Sequence, residues 1–293
     1  MAGARQIVDL PAFTALPYGL WDVAQHPTPS GPHWQQGITY QQRCPTAAAT
    51  YDECLTVTGT GAPPAPAPKT DNVDQELRGA TPFTVYAEFD CSPVGLNDAA
   101  TAAADALARV EQRQVEAVFW TGTAGGRTVA FPHLAAAAEV EDASGIVLQT
   151  AASTAVTGAD VAHGLGALEQ DLADCYGGQG VIHIPLRALA TFAAWGLVRD
   201  VDGQLLTPAG NLVAVGGGYT GTGPDGSAPA AGTAWIYATG KVFGYRSDVY
   251  LTAPRDSLDR AENTQRMIAE RTYVLAYECC HLAAHITLGV AAE

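Results

Sequence analysis

The chain has 293 residues, of which 47% are hydrophobic and 15% charged, enough apolar material for one large core or two modest ones and too much for wholesale disorder. Acids outnumber bases by 30 to 15, a formal charge of −15 that argues against a protein built to coat duplex nucleic acid, which needs a basic surface to displace counterions. With so few charges and so much alanine, glycine and threonine, the surface is expected to be neutral and small-residue, suited to close packing against other protein.

Residues 1–36 carry Pro11, Pro17, Pro27, Pro29 and Pro32 among isolated aromatics, Phe13, Tyr18, Trp21 and Trp34. The prolines forbid a regular helix while the aromatics offer docking groups, so the segment is expected to be an extended arm lying on another surface. Residues 37–90 open on GITYQQRC and close on PFTVYAEFDC, both β-type, around the Pro/Ala-rich GTGAPPAPAPKTDN. The expectation is a long two-stranded excursion with a flexible tip. Because an isolated hairpin of that size is marginal in water, it should find its partner in a neighbouring subunit.

NDAATAAADALARVEQRQVEAVFW, residues 97–120, is the strongest helix, capped by Asn97 or Asp98 and stopped by the glycines of TGTAGG. Leu107, Val110, Gln114 and Val118 are expected on its buried face, and its alanine-rich first half should lie close against another element. A second helix is expected from about Gly158 to Cys175, with Val161, Leu165, Leu168 and Leu172 inward and Gly177-Gly178 as its stop. VIHI at 181–184 reads as a strand, Pro185 opens a third helix through Trp195, and strands follow at 211–215, 233–239 and 241–245. The segment from Glu262 to Gly289 is ambiguous between helix and strand, and RTYVLAY and HITLGV favour strands. Mixed helices and strands without regular βαβ alternation define the class as α+β.

Chemistry-bearing patterns are sparse. His281 and His285, beside Glu278, Cys279 and Cys280, have a spacing that would suit a metal on a helix, but no CxxC or HExxH accompanies them. GGGYTGTGPDG at 216–226 lacks the lysine and following helix of a phosphate cradle and reads as a mobile loop, and Gly240-Lys241 reads as a hairpin turn. There is no GxSxG elbow, and Glu139 and Glu141 read as a solvated face. Catalytic, cofactor-binding and metal residues are accordingly assigned as none. The six cysteines are expected as reduced thiols, although Cys44 and Cys54, with nine residues between them, could close a disulfide-bonded loop after release from a cell. The opening MAGARQIVDLPAF has no apolar stretch of signal-peptide length and no later run approaches a membrane span, so the expectation is a soluble cytoplasmic product without a membrane partner.

The order of elements resembles the shell fold shared by major capsid proteins of tailed bacteriophages and encapsulins. PFTVYAEFDCSPVG feeding ARVEQRQVEAVFWTG resembles the extended-loop exit and spine helix. LEQDLADCYGGQGVIHIP with GQLLTPAGNLVAVGGGYTG resembles an apical-domain helix, strand and loop near a capsomer centre. NTQRMIAERTYVLAYECCHLAAHITLG resembles the closing strands with an internal arginine, Arg271. The likeness runs from about residue 37 onward. It implies an arm (1–36), an extended loop (37–90), a peripheral domain with its spine helix (91–155), an apical domain (156–245) and a return to the peripheral domain (246–293).

The resemblance further implies a non-enzymatic subunit that forms pentamers and hexamers of an icosahedral shell around double-stranded DNA, assembled in a bacterial cytoplasm. Its partners would be copies of itself, with scaffold, portal and decoration proteins, and DNA only by weak non-specific contact. In some members a lysine and an asparagine of neighbouring subunits cross-link, and Lys69 stands where such a lysine is expected. The other readings are an encapsulin-type nanocompartment shell, a tail or decoration protein, and a metal-dependent enzyme using His281 and His285.

Overall fold

The structure, a computed structural model, describes residues 11–45, 73–91, 96–253, 258–259 and 264–289. The Pro/Ala-rich tip, Lys69 and Cys54 lie outside these residues.

The proline-punctuated start holds one turn of helix after all, α1 (Leu20–Val23), and a 3-10 turn at Pro32–Gln36. Residues 16–25 lie on their own chain: Leu20 is fully buried, and Gln25 bridges in parallel to Phe243. Four residues suffice for a turn because Pro17 and Pro27 stand outside it.

Two strands follow, β1 (Ile38–Pro45) and β2 (Val73–Ala80), paired antiparallel from Ile38↔Ala80 to Pro45↔Val73. The partner of GITYQQRC is therefore VDQELRGA. PFTVYAEFDC instead forms β3 (Phe83–Cys91) and pairs with the far end of the chain, so the excursion expected over 37–90 is two elements, a hairpin and a core strand.

The spine helix α2 (Leu96–Thr121) spans about 39 Å at 1.5 Å per residue. Its buried row is Ala99, Ala103, Leu107, Val115, Val118 and Phe119, whereas Val110 and Gln114, expected inside, are exposed. The alanine half does lie close against the sheet containing β3, with Ala103 and Leu107 in one cluster with Phe83 and Val85. Short strands come next: β4 (Thr123–Ala124) with β5 (Arg127–Thr128), then β6 (Val140–Glu141) with β7 (Val147–Gln149), which extends the hairpin sheet through the pairing Arg78↔Val147.

β8 (Ser153–Asp160) leads into α3 (Val161–Tyr176), whose first turn is capped by Asp160 accepting from the His163 amide, 2.8 Å away, and whose last turn is closed by left-handed Gly177. β9 (Val181–Pro185) is followed by α4 (Leu186–Ala194), β10 (Arg199–Val201), β11 (Gln204–Leu206), β12 (Leu212–Gly216) and β13 (Thr233–Thr239). Then come β14 (Val242–Arg246), β15 (Tyr250–Thr252), β16 (Leu258–Asp259), β17 (Thr264–Tyr277) and β18 (His281–Thr287). The ambiguous C-terminal stretch is two strands.

Two large sheets result. One runs β10-β11-β12-β9-β13-β18-β8, and the other is centred on β17, with β14, β15 and β16 along one edge and β3 along the other. In the seven-stranded sheet Ile182, Ile184, Val213, Val215, Ile236 and Ala284 face α3 and α4, and Val181, Ala214, Tyr237 and Ala283 face the C-terminal aromatics of α2. The spine thus touches both sheets. After residue 246, β15, β16 and β17 belong to the sheet centred on β17 and β18 to the seven-stranded sheet.

Gly240-Lys241 is a crossing between the two sheets and not a hairpin turn. β13 pairs with β18 on one side of it and β14 with β17 on the other, so Glu278-Cys279-Cys280 is the matching crossing of the opposite ribbon. The ribbons touch there through Gly240 N to Glu278 O (3.1 Å) and Glu278 N to Lys241 O (3.1 Å). A Cβ on Gly240 would stand 2.4 Å from Glu278 O, so only glycine fits.

Candidate assembly interface

Polar contacts converge where arm, spine and glycine loop meet. Leu16 and Gln112 exchange two hydrogen bonds, Leu16 N to Gln112 Oε1 (3.0 Å) and Gln112 Nε2 to Leu16 O (3.1 Å). Gln112 Nε2 also reaches Glu116 Oε1 (3.1 Å), and Gly218 N donates to Glu116 Oε2 (2.9 Å). Glu116 is only 1% exposed, and its burial raises its pKa above the usual carboxylate value. The loop reaches this carboxylate because Gly218 has no side chain: a Cβ there would lie 1.9 Å from Arg113 O of the spine. Tyr219 packs beside Trp120, and the Trp120 indole donates to Thr222. The glycine loop expected to be mobile is therefore docked over residues 216–223, most of them buried, and its exposed run begins at Asp225. Glu116 escaped notice in the sequence because its neighbours in space are about 100 residues away.

The arginine of the closing strands, Arg271, is partly buried against the spine. Arg271 pairs with Glu111 at 3.1 Å, and the Tyr273 hydroxyl donates to the same carboxylate at 2.6 Å, fixing β17 on the spine. The opposite face of that sheet is open. Thr84, Tyr86, Glu88 and Asp90 alternate outward, with Arg266 held between Glu88 (2.5 Å) and Asp90 (3.6 Å), and Tyr86 and Tyr250 flank Glu270 across the strands. Further large apolar groups protrude: Phe13 and Leu16 on the arm, Leu77 on the hairpin, Leu251 and Leu258 beside β17, and Trp195, 61% exposed, at the end of α4. Exposed aromatic groups on rigid elements are the usual anchors of protein–protein contact. Glu139 and Glu141 are solvated, as expected.

His281 and His285 share one face of β18 but are four residues apart along a strand, about 13 Å, too far to hold one ion. His281 Nε2 lies 2.7 Å from Leu134 O, Nδ1 lies 3.0 Å from Thr150 O, and burial lowers its pKa to about 4. His285 packs against Trp235. A helix would have brought the two imidazoles together, and the strand separates them. Nearby His183 is held by Tyr219 and Thr239. The Thr239 hydroxyl proton goes to Gly240 O, so Nε2 of His183 donates to Thr239 and Nδ1 accepts from Tyr219. Burial lowers the His183 pKa to about 3.

The cysteines are not all thiols. Cys44 of β1 is bonded to Cys279, and Cys175 of α3 to Cys280, with Cα separations of 5.5 and 6.0 Å. Cys44 therefore bridges to the far end of the chain, and no ring with Cys54 is formed. Sequence spacing pointed to the nearer cysteine; the fold brings the distant one to it.

This α+β architecture, a long spine helix between two sheets with a projecting hairpin, is the fold of phage capsid structures. The chain superposes on the capsid of an empty GTA particle computed with C5 symmetry (TM-score 0.54, 13% identity, 99% of this chain and 96% of the other). It also superposes on Mycobacterium phage Cain (0.52, 13%, 96% and 93%) and on the capsid of Ralstonia phage GP4 (0.51, 8%, 100% and 97%). No family model and no curated protein matches the sequence.

Proposed function

We propose that this chain is the major capsid protein of a tailed phage, a non-enzymatic subunit that assembles with itself into the pentamers and hexamers of an icosahedral shell around double-stranded DNA. The observation that carries this reading is the match of the whole chain, spine and both sheets together, to capsid subunits of nearly equal length. Assembly takes place in the host cytoplasm, and the finished location is the virion. Scaffold, portal and decoration proteins are the further partners.

The residues support a mechanical role. Arm residues Phe13 and Leu16, the hairpin and the outer face around Tyr86 and Tyr250 carry apolar groups away from the core, where another copy can cover them. A subunit that must sit in pentamers and hexamers needs a rigid body with adjustable projections, and the Arg271–Glu111 and Glu116 contacts provide the rigid part. A charge of −15 with two lysines keeps contact with packaged DNA weak. No described helix is long and apolar enough to cross a membrane.

Negative-stain electron microscopy beside size-exclusion chromatography tests the reading on protein expressed alone and with its neighbouring genes. Closed shells, capsomer rings or sheets are expected. A monodisperse monomer or dimer under both conditions would overturn it.

A further inference from the structure

Both disulfides end at the crossing between the sheets, on consecutive residues, yet their surroundings differ sharply. Cys279 has a φ of 48°, a left-handed conformation rare for a residue with a side chain, and this reversal sends the Cys279 and Cys280 side chains to different partners. Cys280 is 1% exposed and closed in the core beneath α3, while its partner Cys175 on α3 is half-buried. Cys279 borders an open groove of about 660 Å³, lined also by Gln41, Tyr176, Gln179, Lys241 and Glu278, wide enough to admit a small thiol or disulfide.

What each bond holds also differs. Without Cys175–Cys280, α3 keeps its buried leucines Leu165, Leu168 and Leu172 and the Tyr176 hydroxyl donating to Glu278 (2.5 Å). Without Cys44–Cys279, the base of the hairpin β1–β2 keeps Ile38, Tyr40 and Ala80 packed on Val274, Ala276 and Phe243, whereas its far half, residues 41–45 and 73–77, keeps less. The described contacts near its cysteine are Cys279 N to Gln42 Oε1 (3.1 Å) and the Tyr40 hydroxyl to Tyr277 O (2.9 Å), and its one strand neighbour outside the hairpin is β7, through Arg78↔Val147.

We propose that Cys44–Cys279 is a thiol-exchange site that takes low-molecular-weight thiols and disulfides and sets whether the far half of the hairpin is free or fixed to the sheet crossing, while Cys175–Cys280, with one sulfur closed in the core, is a structural bond. In the closing direction, the Cys279 thiolate attacks a small disulfide RSSR, displacing RS⁻ and leaving a Cys279–S–S–R mixed disulfide. The Cys44 thiolate then displaces the second RS⁻ and forms Cys44–S–S–Cys279. The two cysteines lose two electrons to RSSR, and their two protons end on two RSH. The site concerns the chain alone and stands whether or not the chain builds shells.

The test combines non-reducing peptide mapping of the full chain, titrated with glutathione, and hydrogen exchange read by mass spectrometry before and after that titration. Cys44–Cys279 should open at glutathione levels at least tenfold lower than Cys175–Cys280 and pass through a mixed disulfide at Cys279. Opening should speed amide exchange in 41–44 and 74–77 by tenfold or more while exchange in α3 stays unchanged. Cys44→Ser should show the fast hairpin exchange at every glutathione level, and Cys175→Ser should keep the response. If Cys44→Ser does not fold, the wild-type titration decides alone. Simultaneous opening of both bonds, hairpin exchange indifferent to glutathione, or a Cys279–Cys280 linkage would overturn the proposal.

Discussion

Buried titratable side chains set how this molecule answers pH, the imidazoles of His183, His281 and His133 in one direction and the Glu116 carboxyl in the other. His183 and His281 are neutral in the fold, with values held near 3 and 4 by burial, and take up protons near 6.5 once unfolded. Their contribution to stability is complete above pH 6.5 and is lost as pH falls toward the folded values, because the unfolded chain then binds more protons. Glu116 runs the other way: its raised value means its contribution is complete below about 4.5 and declines as pH rises through the folded value. One carboxyl can offset at most about 3.4 kcal/mol over this interval, so urea unfolding at pH 5 should give a free energy lower than at pH 7.5, from about 2 kcal/mol for each imidazole against the opposite contribution of Glu116. An equal or higher stability at pH 5 would mean that an imidazole holds its proton in the fold, as His281 could by donating to both Leu134 O and Thr150 O. Replacing the carboxyl separates its two roles. Glu116→Gln keeps an acceptor for Gly218 N and should cost about 1 kcal/mol, whereas Glu116→Ala strands the Gly218 and Gln112 donors and should cost about 3 kcal/mol by the same measurement.

At the scale of elements, what the sequence made legible was local and what it hid was long-range. Helices α2, α3 and α4 were readable because alanine and leucine spacing, Pro185 and Gly177 act within a few residues. The strands β9, β12, β13 and β14 were readable as runs of β-branched and aromatic residues. Pairing was not. β2 carries Asp74, Glu76 and Arg78 in a projecting hairpin and so lacks an apolar signal, while β3 finds its partner β17 about 180 residues later. The candidate site was least legible for the same reason, since Glu116 with Gly218 and both cysteine pairs join residues about 100 or more apart. The spine shows the error in its plainest form. Its buried row follows Ala99, Ala103 and Leu107, and because alanine gives little hydropathy contrast, Val110 looked like the natural continuation. Ala103 touches the sheet directly, so Ala103→Leu should destabilise by about 1–3 kcal/mol in thermal or urea unfolding through overpacking. Val110 is 40% exposed, and Val110→Ala should stay within about 0.5 kcal/mol. Reversed costs would return the spine to the face expected from sequence.

At the scale of the whole molecule, folding and association draw on different residues. The core clusters are closed around the spine and the seven-stranded sheet, and the groups left outside them, Tyr86 at 63% exposed and Trp195 at 61%, sit on strand β3 and at the end of α4, where they fill no space in their own chain. Removing such a side chain costs the fold almost nothing, because it was as wet before as after. Covering it with another subunit would recover about 1.5–3 kcal/mol per large side chain, repeated at every equivalent contact of a closed assembly. Tyr86→Ala and Trp195→Ala should therefore leave the melting temperature within about 2 °C of the parent, yet raise the protein concentration at which particles form by at least tenfold, a factor that corresponds to about 1.4 kcal/mol. Light scattering against concentration, run beside calorimetry on the same samples, measures both. If both variants assembled at the parental concentration, these aromatics would lie on a surface that the shell leaves exposed, and the search for its contacts would move to the hairpin and arm. If they melted early, Tyr86 and Trp195 would instead belong to the core.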